Sequence, residues 1–261
     1  MRTTIVAFLT AAALTTGCDI VTASLGPEHT AQWQKSYTIA ANGSVEIDNV
    51  NGKIEVEPGT GNTVEVTAIK KARGASEEAA KATLDRITIV EDVTPSRVKV
   101  EAKFPQSGGG FFVGGGNGQV EFQVKVPTGI EGSFHTVNGE VGVRGLDGHV
   151  TAQTTNGGII AHDMSGQLDA RTTNGGLDID LAKVSDGGVT LRCTNGGIRV
   201  RLPRDAKATI SASITNGGIS ASDLPLETSE SSRRRLDARM NGGGPRIEAA
   251  GTNGGITLTS R

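Results

Sequence analysis

From Ser36 onward apolar and polar residues alternate with a period of two, the pattern of strands with one buried face. Turn signals punctuate the alternation at regular intervals. Asn-Gly or Asp-Gly pairs begin at Asn138, Asp147, Asn156 and Asn174, and Ser165-Gly166 fills the remaining slot, so the step is nine residues throughout. The series continues with wider steps through Asp186, Asn195, Asn216, Asn241 and Asn253. Three residues after the turns lie Val141, Val150, Ile159, Leu168, Leu177, Val189, Ile198, Ile219 and Ile256. Two further on lie Val143, Ala152, Ala161, Ala170, Ile179, Leu191, Val200, Ala221 and Leu258. Each unit therefore predicts a strand of about five residues plus a tight corner. Such corners need positive φ, which Gly adopts freely and Asn tolerates.

Five turns read Asn-Gly-Gly followed by Ile or Leu, at Asn156, Asn174, Asn195, Asn216 and Asn253. A meander of hairpins can use the same dipeptides. Near-identical turns on alternate units instead suit two corners per coil. The expected fold is all-β: a right-handed β-helix-like solenoid of about 18-residue coils, stacked about 4.8 Å apart in parallel register. Like residues then lie over like, and Asn138, Asn156, Asn174, Asn195, Asn216 and Asn253 form a structural amide ladder. Cys193 is in step with the inward positions Val189 and Leu191, which predicts a buried free thiol. The chain ends within a strand at Ile256 to Ser260, which can leave an open edge.

The solenoid repeats occupy residues 131–261, and a β-rich region, residues 36–130, precedes them. Val45, Ile47, Ile54, Val56, Val64 and Val66 alternate there, and Asn51-Gly52 already has the turn chemistry. One short helix interrupts: Ser76 can cap it, Glu77 and Glu78 suit its positive end, and Ala79, Ala80 and Leu84 follow at helical spacing. Strands follow near residues 86–91, 97–104 and 119–126. Between the last two, the Gly-rich loop 107–118 carries Phe111 and Phe112. These two aromatics are candidates for an apolar tip touching a membrane, glycan or partner, against the plainer reading that they fold back on the sheet.

Composition agrees with a thin aliphatic core. Of 261 residues, 36% are hydrophobic, 3% are aromatic and 37 are Gly. The formal net charge of −2 gives no general attraction to nucleic acid, which is excluded as a partner. The first residues read as an address. Arg2, an apolar run from Ile5 to Leu14 and small residues before Cys18 make residues 1–17 a signal peptide of lipoprotein type. The run is too short to span a bilayer as a permanent helix. Cys18 is then the lipidation site, and residues 18–35 are a tether lifting the domain from a membrane of the bacterial cell envelope, on the periplasmic side or at the cell surface.

The stretches Ser36-Tyr37-Thr38-Ile39, Val45 to Ile54 and Val64 to Ala72 precede a single helix and a strand ending in Val126-Pro127. Thr136-Val137-Asn138-Gly139-Glu140-Val141 then enters the repeats. This layout resembles the putative-adhesin family of bacterial β-strand-repeat proteins over roughly residues 36–261. The resemblance implies an exported or envelope-attached β-solenoid without assigned enzymatic activity, and it carries no catalytic residue to transfer. The chain departs from it in the Gly-rich loop and between Leu224 and Met240.

Candidate chemistry is sparse. No HExxH, Cys-x-x-Cys, GxSxG, P-loop or GxGxxG motif occurs, and no metal or cofactor is expected. Asp178 and Asp180, two apart on one outward face and one coil from His162, are the best candidates for a glycan hydrolase. Nine-residue units leave no loops to wall a catalytic cleft, so a surface ion pair is the simpler reading. Outward positions six after the turns hold Arg144, Arg171, Arg192 and Arg201, with Arg199 beside the last. They make a candidate stripe for an anionic glycan or a lipid headgroup. Arg233-Arg234-Arg235 adds a second basic cluster. The expected role is a non-catalytic adhesive or scaffolding surface for envelope glycans, lipids or proteins. The alternative is an envelope-stress sensing accessory acting through a protein partner.

Overall fold

The computed structural model describes residues 26–105 and 118–261. Cys18, Phe111 and Phe112 lie outside the described residues. The first strands are β1 (Glu28–Thr38), β2 (Ser44–Asp48), β3 (Ile54–Pro58) and β4 (Thr63–Arg73), followed by the helix α1 (Glu77–Asp85). Then come β5 (Thr88–Thr94), β6 (Arg97–Lys103), β7 (Gly118–Val126), β8 (Glu131–Asn138) and β9 (Val141–Arg144). The repeats supply β10 (Val150–Asn156), β11 (Ile159–Met164), β12 (Leu168–Asn174), β13 (Leu177–Leu181), β14 (Val189–Asn195) and β15 (Ile198–Leu202). The last are β16 (Ala208–Ser222), β17 (Leu226–Ser231), β18 (Arg235–Met240) and β19 (Arg246–Ser260).

The strands build a β-solenoid with two parallel stacks. On the first face the order in space is β6, β2, β8, β10, β12, β14, then the first halves of β19 and β16. On the second face it is β7, β3, β9, β11, β13, β15, then the second halves of β19 and β16. The period-two pattern explains why: on the first face Val150, Ala152 and Thr154 point inward beside Leu168, Ala170 and Thr172, and on the second Ile159 and Ala161 point inward beside Leu177 and Ile179. One apolar core, aliphatic apart from Phe122 and Phe134 near its first coils, runs the length of the stack.

Sequence order and spatial order part company at both ends. The coil of β2 and β3 lies between that of β6 and β7 and that of β8 and β9. At the other end β19 sits between the coil of β14 and β15 and the long strand β16, so the order of corners is Asn195, Asn253, Asn216. This corrects the expectation that the final strand leaves an open edge. The reason lies in β18, which turns back antiparallel along Ala208–Ser213 and occupies the outer edge of β16. Only the inner edge remains for β19. The outermost strand of the second face is instead the end of β16, where Ile219 is half-buried and Ala221 is exposed rather than inward and covered.

Antiparallel strands close the ends. Beyond β18 comes β17, and at the far end β5 flanks β6 while β4 and β1 flank β7. The expected tether is shortened by this: β1 begins at Glu28, so residues 28–35 pair along β4 instead of lifting the domain. The helix forms where expected, with Ser76 Oγ accepting the Ala79 N–H at 3.2 Å and Ala80 and Leu84 buried. Glu91 of β5 accepts hydrogen bonds from Lys35 and Tyr37 of β1, tying the edge strands of the two faces together.

Candidate functional site

The Asn corner is a continuous column. Each Asn after the first donates its Nδ2 to the Oδ1 of the preceding one at 2.8–2.9 Å, in the order Asn51, Asn138, Asn156, Asn174, Asn195, Asn253, Asn216. The first Gly of each turn lies under this column with no room for a side chain. A Cβ on Gly175 would sit 1.9 Å from the Gly157 carbonyl oxygen, and its φ is +149°. The second Gly is different, since a Cβ on Gly176 would stand 3.4 Å from its nearest neighbour. Beneath the corner, Thr136, Thr154 and Thr172 donate their hydroxyls to the carbonyls of Gly52, Gly139 and Gly157. Cys193 takes the next place in that row, buried, with its thiol directed to the Gly175 carbonyl at 3.2 Å.

The arginines do not form one stripe. Arg171 and Arg192 face each other on β12 and β14 of the first face, whereas Arg144, Arg199 and Arg201 stand on β9 and β15 of the second. The corners alternate between faces, and that division follows from it: the first pair comes after Ser165 and Asp186, the other three after Asn138 and Asn195.

On the second face the charges are matched. Arg201 Nη2 lies 2.8 Å from Asp178 Oδ1 and donates to His162 Nε2 at 3.2 Å, while its Nε is 3.6 Å from Asp180. Arg199 approaches Asp178 at 3.8 Å, and Arg261 holds both Asp180, at 3.1 Å, and Asp163. His162 reaches Asp178 at 4.0 Å, not the Asp180 that an unbroken register suggests. The cause is a bulge between Ala161 and Met164, where Asp163 has φ 56°. Asp178 and Asp180 are thus held between arginines and half-covered by them. Arg144 lines a separate groove of about 660 Å³ with Glu55, Glu57, Lys125 and Gly142.

On the first face a groove of about 440 Å³ runs across β8, β10, β12, β14 and β19. One wall is the column His135, Gln153, Arg171, Arg192 and Ala250. The other is a threonine row, Thr155, Thr173, Thr194 and Thr252, each preceding a ladder Asn. Sequence reasoning did not single out this row, although the recurring Thr-Asn-Gly-Gly carries its signal. Arg192 approaches Glu248 at 3.7 Å, and Arg171 forms no ion pair among the described residues. Asp169, the nearest acid along β12, turns to His149 at 3.2 Å. Of the second basic cluster, Arg235 is neutralised by Asp237 and Glu230. Among the described residues no group of His, Cys, Asp or Glu is placed to hold a metal ion, and no helix is long and apolar enough to cross a membrane.

Comparison with known proteins places this geometry in a family. The family model described as Toastrack DUF4097 matches residues 44–259, and the chain belongs to that family. No curated protein matches it in sequence. Over 88% of its length it is similar to the crystal structure of a putative cell adhesion protein from Clostridium sporogenes, with 13% identity, all of that chain covered and a TM-score of 0.49. A putative adhesin from Bacteroides fragilis has 9% identity over 97% of its chain and a TM-score of 0.30. A putative lipid binding protein from Parabacteroides distasonis has 11% identity over 96% of its chain and a TM-score of 0.24.

Proposed function

We propose that this member of the Toastrack DUF4097 family is a non-catalytic, adhesin-like protein of the cell envelope, exported by residues 1–17 and anchored through Cys18. Its first face is the binding surface. The observation that carries the reading is the groove whose threonine wall, Thr155, Thr173, Thr194 and Thr252, repeats from coil to coil. Strands stack about 4.8 Å apart, so the five strands it crosses give it a length of about 19 Å. A regular, open groove suits an extended envelope polymer better than a compact small molecule, which needs a concave pocket that buries most of its surface. The engagement of Asp178 and Asp180 by Arg199, Arg201 and Arg261 supports a non-catalytic role, because both carboxylates are committed to neutralising neighbouring cations.

The test is a binding screen of the full-length protein against envelope polysaccharides, lipid vesicles and a detergent-solubilised envelope extract. Capture of polysaccharide, lost when Thr173→Val and Thr194→Val are combined, supports the reading. Recovery of one protein with no polymer bound replaces it with the signalling accessory. Release of shortened glycan, abolished by Asp180→Asn, replaces it with a hydrolase.

A further inference from the structure

We propose that Arg171 and Arg192 form a clamp for an oxyanion, carboxylate or phosphate, carried by a linear glycan lying in the first-face groove. The proposal rests on the polymer-binding reading above. The two residues are in register on adjacent parallel strands. Like charges directly opposite one another on a sheet destabilise it, and the acidic pairs of this kind carry a close counter-ion: Asp48, opposite Glu101, has Lys99 at 2.7 Å, and Glu230, opposite Asp237, shares Arg235 with it at 3.0 and 2.7 Å. Asp178 faces Arg199 and Asp180 faces Arg201, Glu46 faces Lys99, and Glu57 faces Lys125. The Arg171–Arg192 pair has no such close counter-ion: Asp169 is turned to His149, so Arg171 forms no ion pair among the described residues, and Arg192 has Glu248 at 3.7 Å, which Arg246 shares at the same distance. Two adjacent guanidinium forks, both exposed, match the two oxygens of one carboxylate or two oxygens of one phosphate.

The surroundings select the carrier. Thr173 and Thr194 bring hydroxyls alongside the same two strands, and Thr155 and Thr252 extend them, which suits a hydroxylated chain. The groove crosses the strands, whose backbone groups are already paired with their neighbours, so an extended peptide would find no ladder to join. Single-stranded nucleic acid needs aromatic stacking platforms, and among the described residues His135 is the only ring lining the groove. Among the described residues the exposed large apolar side chains, Val50, Val90 and Val93, do not line the groove, which argues against a bilayer surface there.

The experiment titrates the full-length protein with four chains or ions: polygalacturonate, poly(glycerol phosphate), neutral dextran and inorganic phosphate. It compares the parent with a double variant, Arg171→Gln with Arg192→Gln, and with Arg144→Gln on the other face. The expected result is tighter binding of at least one acidic chain than of dextran, with about tenfold or more lost in the double variant. Arg144→Gln should stay within about twofold of the parent, and binding should weaken with salt less steeply in the double variant. The preferred acidic chain then assigns carboxylate or phosphate. Inorganic phosphate binding as tightly as the chains would overturn the glycan carrier. Equal acidic-chain affinity in parent and double variant, or dextran binding as tightly as the acidic chains, overturns the clamp and leaves the groove as a polymer site. Failure of every chain to bind overturns both.

Discussion

Gly251 and Ile214 face each other across β19 and β16, and a Cβ on Gly251 would stand 3.3 Å from both Cγ1 and Cδ1 of Ile214. The column under the Asn corner runs Thr136, Thr154, Thr172, Cys193, Gly251, Ile214. One bulky residue fits in that row because its neighbour has no side chain. The pairing fixes which coil may lie beside β16. Gly251→Val should lower stability by about 1–3 kcal/mol through overpacking. Combining Gly251→Ala with Ile214→Val should recover most of what Gly251→Ala alone loses. Thermal unfolding of the three variants reads this, and additive losses in the double variant would show that the two side chains do not compete.

The two glycines of each Asn-Gly-Gly turn should differ sharply. Gly175→Ala forces a Cβ to within 1.9 Å of a backbone oxygen at a φ that side chains rarely adopt, and should cost about 3 kcal/mol or more. Gly176→Ala meets nothing closer than 3.4 Å and should stay within about 1 kcal/mol of the parent. The equivalent of the second position at the Asn138 corner is Glu140, which shows that a side chain fits there. Denaturant midpoints for the two variants measure the contrast.

The ladder makes an end-versus-middle prediction. Asn174→Ala removes two side-chain hydrogen bonds, to Asn156 and from Asn195, whereas Asn51→Ala removes one, from Asn138. At about 0.5–1 kcal/mol each in this exposed setting, the first variant should lose about twice as much stability as the second. Equal losses would mean that the corner backbone, and not the amides, holds the column.

Acid should weaken the far end first. Hydrogen bonds from Arg97 and Lys99 hold the Glu46 carboxyl down at about 2, against an ordinary value of 4.5. A carboxyl with a lowered folded pKa stabilises the fold above its unfolded pKa and loses that contribution as pH falls through the folded one. Melting temperature should therefore fall between about pH 4.5 and pH 2 more steeply in the parent than in Glu46→Gln. Parallel curves for the two proteins would assign the acid sensitivity to other carboxylates.

The strand-and-corner unit, its 18-residue coil, the helix over Glu77–Asp85 and the inward direction of Cys193 were all legible in the sequence. The cause in each case is local: side-chain alternation, positive φ at Asn-Gly and an N-cap hydroxyl act within a few residues. The same local rule also separates Arg171 and Arg192 from Arg144, Arg199 and Arg201, once alternate corners are assigned to opposite faces. Spacing alone could not order the coils, because Asn195, Asn216 and Asn253 carry almost the same turn and any one could follow another. That order was decided by tertiary contacts: β18 occupying the outer edge of β16, and Gly251 making room for Ile214. Tertiary structure likewise decided which charges are free. Arg201 and Arg192 have the same outward periodicity, but only the first has a carboxylate directly in register, Asp180, whereas Arg192 is flanked by Arg171 and Ala250, and that register is a property of the stacked coils.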